Sequence, residues 1–139
     1  MIKIFLDANI LVSVLNKEYP LFTYSSRILS LASDPEFEVY TSPICLAIAF
    51  YYAEKKVTSQ VAKQKIQLLC QHIKIAENLT EGIQQTLANK KVHDFEDGLE
   101  YYAALNSKCQ CIVTENTKDF YFSEIEVLNC KDFFKKHLF

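Results

Sequence analysis

The sequence predicts an α/β protein in which helices cover both faces of a parallel sheet. A short apolar segment, Ile2 to Leu6, is typical of a strand that is buried on both faces. Segments with strand periodicity then alternate with helical segments, which is the pattern of a parallel sheet. Half of the 139 residues are hydrophobic, enough for the core of a single domain spanning residues 1–139.

The remaining elements follow from periodicity and from stop and cap signals. Apolar residues predict helices over 10–15 and 21–32, and Ser33-Asp34-Pro35 ends the second of them. After a strand over 37–41, Ser42 caps the next helix and Pro43 takes its first position. Further helices are predicted over 58–71, 80–89, 94–107 and 131–138, and further strands over 73–76, 111–114 and 125–128.

Charge and cysteine content limit the possible functions. The net charge of −2 argues against broad, nonspecific clamping of nucleic acid, which depends on neutralising phosphates. The five cysteines are odd in number and form no CxxC pair, so we expect small buried hydrophobes in a reducing cytoplasm. No apolar run is long enough to span a membrane, and we expect no membrane partner.

Polar side chains follow three of the predicted strands. Asp7 and Asn9 follow the first strand, Ser42 follows the second, and Asn116 and Asp119 follow the strand that ends at Thr114. The carboxyl ends of parallel strands are where α/β proteins bind ligands. Asp7 therefore has two interpretations, as a ligand-binding carboxylate or as a cap of the following helix.

Two more acids begin the helix predicted over 94–107. Asp94 and Asp97 are three residues apart and border the apolar face, so we expect both to point into a cleft. The same spacing predicts that Glu96 and Glu100 face the far side. Carboxylates that converge repel one another, and a hard cation such as Mg²⁺ or Mn²⁺ relieves that repulsion.

Three segments in this order resemble the motifs of the PIN-domain family, and most nearly those of VapC-like toxins. They are Phe-Leu-Asp-Ala-Asn-Ile-Leu-Val at 5–12, Asp-Phe-Glu-Asp-Gly-Leu-Glu-Tyr-Tyr-Ala-Ala at 94–104, and Ile-Val-Thr-Glu-Asn-Thr-Lys-Asp-Phe at 112–120. The resemblance implies a three-layer α/β/α fold and a Mg²⁺- or Mn²⁺-dependent endoribonuclease that acts on RNA. It also implies an antitoxin partner and a homodimer.

The resemblance assigns roles by position. Asp7, Asp97 and Asp119 correspond to catalytic metal ligands. The residues expected to support them or to contact substrate are Asn9, Ser42, Asp94, Thr114 and Asn116.

One position departs from the family pattern. The family places a Glu in the helix after the second strand, near Ala47, but residues 43–49 contain no acid. Glu54 lies about 10 Å further along that helix, at 1.5 Å per residue. An alternative is therefore a weak or inactive PIN-like module that acts by binding protein or RNA. A haloacid-dehalogenase-like phosphatase also starts with a strand ending in Asp, but it needs an acid where Asn9 stands and a different motif order.

Overall fold

The computed structural model describes residues 1–138 and has a five-stranded sheet in which all neighbouring strands are parallel. The strands are β1 (Ile2–Leu6), β2 (Phe37–Thr41), β3 (Lys74–Ile75), β4 (Cys111–Val113) and β5 (Glu126–Leu128). Their order across the sheet is β3-β2-β1-β4-β5. The first strand of the chain is therefore the central strand of the sheet.

Within residues 1–138, seven α-helices connect and cover these strands. They are α1 (Ala8–Leu15), α2 (Phe22–Leu29), α3 (Pro43–Glu54), α4 (Ser59–Cys70), α5 (Thr80–Ala88), α6 (Phe95–Asn106) and α7 (Cys130–Phe133). Short 3₁₀ turns occupy Ser30–Ser33 and Thr117–Phe120, and a π turn occupies Phe134–Leu138. The predicted α/β class and its α/β/α layering are confirmed.

Strand β1 lies in the hydrophobic core. Ile4, Phe5 and Leu6 have no exposed surface because strands flank them on both sides and helices cover both faces. The apolar run in the sequence is the consequence of this position. Its burial holds the end of β1, and with it Asp7, in a fixed place.

Several boundaries differ from prediction for local reasons. Helix α1 begins at Ala8 rather than Ile10, because the Asp7 side chain accepts a hydrogen bond from the Ala8 amide. The strand predicted over 73–76 shortens to β3, an exposed two-residue edge strand. Ser42 caps α3 as predicted, since its Oγ accepts from the Cys45 amide at 3.3 Å.

Within residues 1–138, no helix has the length and apolar character that crossing a bilayer requires.

Candidate metal centre

A pocket of about 370 Å³ opens where β1 and β4 end. Six acids are among the residues that line it: Asp7, Glu18, Glu96, Asp97, Glu100 and Asp119. The structure thus brings together the three predicted metal ligands, which come from three separate regions of the chain.

Asp7 is fixed on both carboxylate oxygens. Its Oδ1 accepts from the Ala8 amide at 2.6 Å, and its Oδ2 accepts from the Thr114 hydroxyl at 2.7 Å and from Asn9 Nδ2 at 3.3 Å. The side chain is only 8% exposed. Asp7 therefore caps α1, as one interpretation predicts, and it also lines the pocket, as a ligand-binding carboxylate would.

Asn9 and Thr114 join the ends of β1 and β4 around Asp7. Asn9 Nδ2 also donates to Thr114 Oγ1 at 3.0 Å, while Asn9 Oδ1 accepts from the Glu115 amide at 3.1 Å. Thr114 Oγ1 additionally accepts from the Asn116 amide at 3.1 Å. This network sets the rotamer of Asp7 and the start of the loop that carries Asp119.

Asp97 lies in the first turn of α6 and faces the pocket. Burial raises its pKa to about 7, and the charges of Asp94, Asp119 and Asp7 add to the shift. A carboxyl group with such a pKa lies among other negative charges and lacks a neutralising partner. Within the described chain, the only ion pairs are those of Glu38 and Glu126, so no cation pairs with an acid of the pocket.

The prediction that Glu96 and Glu100 face away from the cleft is wrong, since both line the pocket. Glu100 is 1% exposed, and its Oε1 accepts from the Cys45 thiol at 3.0 Å. Burial raises the pKa of Glu100 to about 11, with a further contribution from Asp7. The signal was in the sequence, because Glu100 follows Asp97 by three residues and therefore shares its side of the helix.

Asp119 and Asn116 line the other wall of the pocket. Asp119 lies on the 3₁₀ turn Thr117–Phe120, and its amide bonds to the Asn116 carbonyl at 3.0 Å. Both side chains are exposed to solvent. The turn therefore presents a carboxylate and an amide at the open side of the pocket.

Three predicted residues do not line the pocket. One of them, Thr114, is fully buried and contacts the pocket residue Asp7 through its hydroxyl. Asp94 is exposed, and its carboxylate caps α6 by accepting from the Asp97 amide at 3.2 Å. Ser42 is fully buried at the start of α3. From α3, the pocket is lined instead by Ile48 and Tyr52, one helical turn apart.

The donor set fits a hard divalent cation. Carboxylate oxygens are the ligands that Mg²⁺ and Mn²⁺ prefer, and Mg²⁺ is usually held by one or two carboxylates with water. In two groups, ligand atoms lie within 4.8 Å of one another: Asp7, Cys45 and Glu100, and Glu96, Asp97 and Glu100. A cation there would offset both the burial and the neighbouring negative charges that raise the pKa of Asp97.

Comparison with known proteins shows which family this chain resembles. A family model for the PIN domain matches residues 3–118. Ribonuclease VapC1 of Aquifex aeolicus (strain VF5) is 27% identical over 135 residues, which cover 94% of this chain and 92% of the relative.

Solved structures share the fold at lower identity. VapBC2 from Rickettsia felis, bound to a DNA fragment from its promoter, matches with a TM-score of 0.69 and 20% identity over 92% of this chain and 98% of that chain. VapBC-1 from nontypeable Haemophilus influenzae matches with a TM-score of 0.68 and 19% identity, over 94% of this chain and 99% of that chain. VapC20 of Mycobacterium tuberculosis, a toxin that cleaves the sarcin–ricin loop, matches with a TM-score of 0.61 and 15% identity, over 78% of this chain and 86% of that chain.

Proposed function

Because this chain belongs to the PIN-domain family, we propose that it is a metal-dependent endoribonuclease, the toxin of a toxin–antitoxin pair. The observation that carries the proposal is the convergence of Asp7, Asp97 and Asp119 on one pocket at the carboxyl edge of the sheet. The similarity to Ribonuclease VapC1 adds support for RNA as the substrate.

In this proposal, Asp7, Asp97 and Asp119 hold Mg²⁺ or Mn²⁺. When bound, such an ion supplies Lewis-acid stabilisation of phosphate charge and activation of water. Thr114 and Asn9 hold the Asp7 carboxylate in one orientation, so it does not have to reorganise during the reaction. Asn116, which lines the open side of the pocket, would contact the substrate backbone.

The reaction is hydrolysis of a phosphodiester. A pocket carboxylate accepts the proton of the attacking water while the water oxygen bonds to phosphorus. The bond from phosphorus to the 3′ oxygen breaks in line with the attack, and the leaving oxygen takes a proton from a solvent water. The carboxyl group then returns its own proton to solvent. One product then ends in a 3′-hydroxyl and the other begins with a 5′-phosphate.

RNA cleavage by the wild type and by Asp7→Asn, each with Mn²⁺ and with EDTA, tests the proposal. We expect cleavage only by the wild type with Mn²⁺. Glu54→Gln is the matched control, because it removes an exposed acid of α3 that lies outside the pocket. Equal cleavage in all four main reactions would refute the proposal and indicate a contaminating nuclease.

The partners are proposed on separate grounds. Similarity to VapBC complexes supports an antitoxin protein, and an apolar groove of about 440 Å³ beside the half-exposed Leu68 offers it a surface. Tyr51 and Tyr52, which are 51% and 46% exposed on α3, support a homodimer through that helix. The five free cysteines suit a reducing cytoplasm.

We do not retain the alternative of an inactive PIN-like module. The reason for that alternative was a missing acid, and Glu100 adds a carboxylate to the pocket.

A further inference from the structure

Glu100 is a buried carboxylate without a cation partner in the part of the chain that the structure describes. It is 1% exposed and forms none of the salt bridges. Its hydrogen-bond donor is the Cys45 thiol at 3.0 Å, which is a weak donor. Burying a carboxyl group on such terms, beside the Asp7 carboxylate that also interacts with it, is unfavourable compared with an apolar side chain of similar size.

A role in packing does not account for this side chain. Its neighbours along the helix, Ala103 and Ala104, are buried and apolar, so the interior here accepts apolar residues. The carboxylate instead lines the pocket and lies within 4.8 Å of ligand atoms of Asp7 and Asp97. A carboxylate also has about four acceptor positions, so the bond from Cys45 leaves room for a further ligand bond.

Helix α3 presents no acid to this pocket. Its pocket-lining residues are Ile48 and Tyr52, and Ile48 has no side-chain oxygen. Ala47 is exposed and lies beside a neighbouring cavity rather than in the pocket. Glu54, the first acid along α3, does not line the pocket.

We propose that Glu100 is a ligand of the divalent cation, so that α6 supplies the carboxylate that the family motif draws from α3. The inference rests on the proposed function, because it assumes that the pocket binds a cation. Asp97 and Glu100, three residues apart on one helix, then act together. The position of Glu100 beside Asp7 places it on the buried side of the pocket, away from solvent.

Calorimetric titration of the purified protein with MnCl₂ tests the inference without any substrate. Four proteins are compared: wild type, Asp7→Asn, Glu100→Gln and Glu54→Gln. We expect Glu100→Gln to weaken Mn²⁺ binding by roughly 10- to 100-fold, the range seen when groups that support a metal are lost. Glu54→Gln removes the same charge from α3 and should bind Mn²⁺ as the wild type does.

A second variant covers the case in which Glu100→Gln does not fold. Glu100→Met has an unbranched apolar chain of similar length, and we expect it to melt in EDTA at or above the wild-type temperature. Added Mn²⁺ should raise the melting temperature of the wild type but leave that of Glu100→Met nearly unchanged. This contrast separates loss of a ligand from loss of structure.

Each result has a distinct meaning. Suppose that a folded Glu100 variant binds Mn²⁺ within about twofold of the wild-type affinity, while Asp7→Asn loses binding. That result would overturn the role of Glu100 and leave the proposed function standing. Absence of binding by the wild type would overturn both. Loss of binding in Glu54→Gln but not in Glu100→Gln would assign the missing acid to α3 instead.

Discussion

The hydroxyl of Thr114 donates a 2.7 Å hydrogen bond to Oδ2 of Asp7, although 107 positions separate the two residues. This bond joins the carboxyl ends of β1 and β4, which are neighbours in the sheet. It orients a carboxylate that is nearly buried. The sheet order thus determines the geometry of the pocket.

Replacing Thr114 tests this relationship. Thr114→Val keeps the shape but leaves the buried Asp7 oxygen without its shortest hydrogen bond. We expect a loss of about 1–3 kcal/mol in the free energy of unfolding and on the order of tenfold weaker Mn²⁺ binding. Thr114→Ser keeps the hydroxyl and should retain most of the wild-type stability and Mn²⁺ affinity. Urea denaturation and metal titration measure the effects, and equal behaviour of the Val and Ser variants would contradict the assigned role.

Asp97 contributes to the pH dependence of the metal-free protein, as does Glu100 with its pKa of about 11. For Asp97, the folded pKa of about 7 exceeds the unfolded value of about 3.9, so the folded state binds more protons between these values. The free energy of unfolding must therefore fall as the pH rises through this window. Because Asp97 is partly solvated, we expect its contribution to be about 1 kcal/mol.

Asp97→Asn removes the contribution of Asp97 to that dependence. In EDTA, the variant should be more stable than the wild type near pH 8, and its stability should change less between about pH 5 and 8. Mn²⁺ should remove the advantage by stabilising only the wild type. If the stability of the two proteins changed in parallel with pH, the pKa of Asp97 would not be raised in the folded protein.

Gly98 and Gly82 form a matched pair for testing the contact between α5 and α6. A Cβ on Gly98 would lie 2.4 Å from Thr86 Cγ2 and 2.8 Å from Val92 Cγ1, whereas one on Gly82 would meet Tyr102 at 3.4 Å. We expect Gly98→Ala to cost about 1–3 kcal/mol by overpacking. Gly82→Ala should be neutral or stabilising by up to about 1 kcal/mol through helix propensity.

Thermal melting compares the two variants. Because Gly98 lies between Asp97 and Glu100, its substitution should also weaken Mn²⁺ binding, whereas Gly82→Ala should not. The reverse order of melting temperatures would mean that the helices pack differently.

The thiols provide a test that is independent of function. Cys70 is exposed, whereas Cys45, Cys109, Cys111 and Cys130 are buried, and burial raises the pKa of each buried thiol. Thiolate is the reactive form, so iodoacetamide should label the folded protein at Cys70 alone. Mass spectrometry should detect one label in the native state, none in folded Cys70→Ser, and five in denatured wild type. Rapid native labelling of a second cysteine would contradict this burial pattern.

The sequence was most informative where one local rule decided the outcome. The mostly apolar run at residues 2–6 predicted a strand buried on both faces, because such strands carry few polar residues. Ser42 followed by Pro43 predicted the start of α3. The convergence of Asp7 with Asp119 followed from the strand-end rule once the sheet was taken as parallel.

The errors came from positions that depend on tertiary contacts. Asp94 was treated as a residue of the helix, but it is the N-cap of α6. The face of the helix predicted from Asp94 was therefore wrong, and Glu100 was assigned to the far side although it is buried. Counting from Asp97 would have placed Glu100 in the pocket. The shortness of β3 had no local signal, because the length of an edge strand depends on its single neighbour, β2.

The central claim is that Asp7, Asp97 and Asp119 hold one cation, and anomalous diffraction from a crystal soaked in MnCl₂ tests it most directly. We predict a manganese peak in the pocket, at about 2.0–2.2 Å from carboxylate oxygens of Asp7 and of Asp97 or Asp119. Manganese bound elsewhere on the molecule, with none among these carboxylates, would contradict the account.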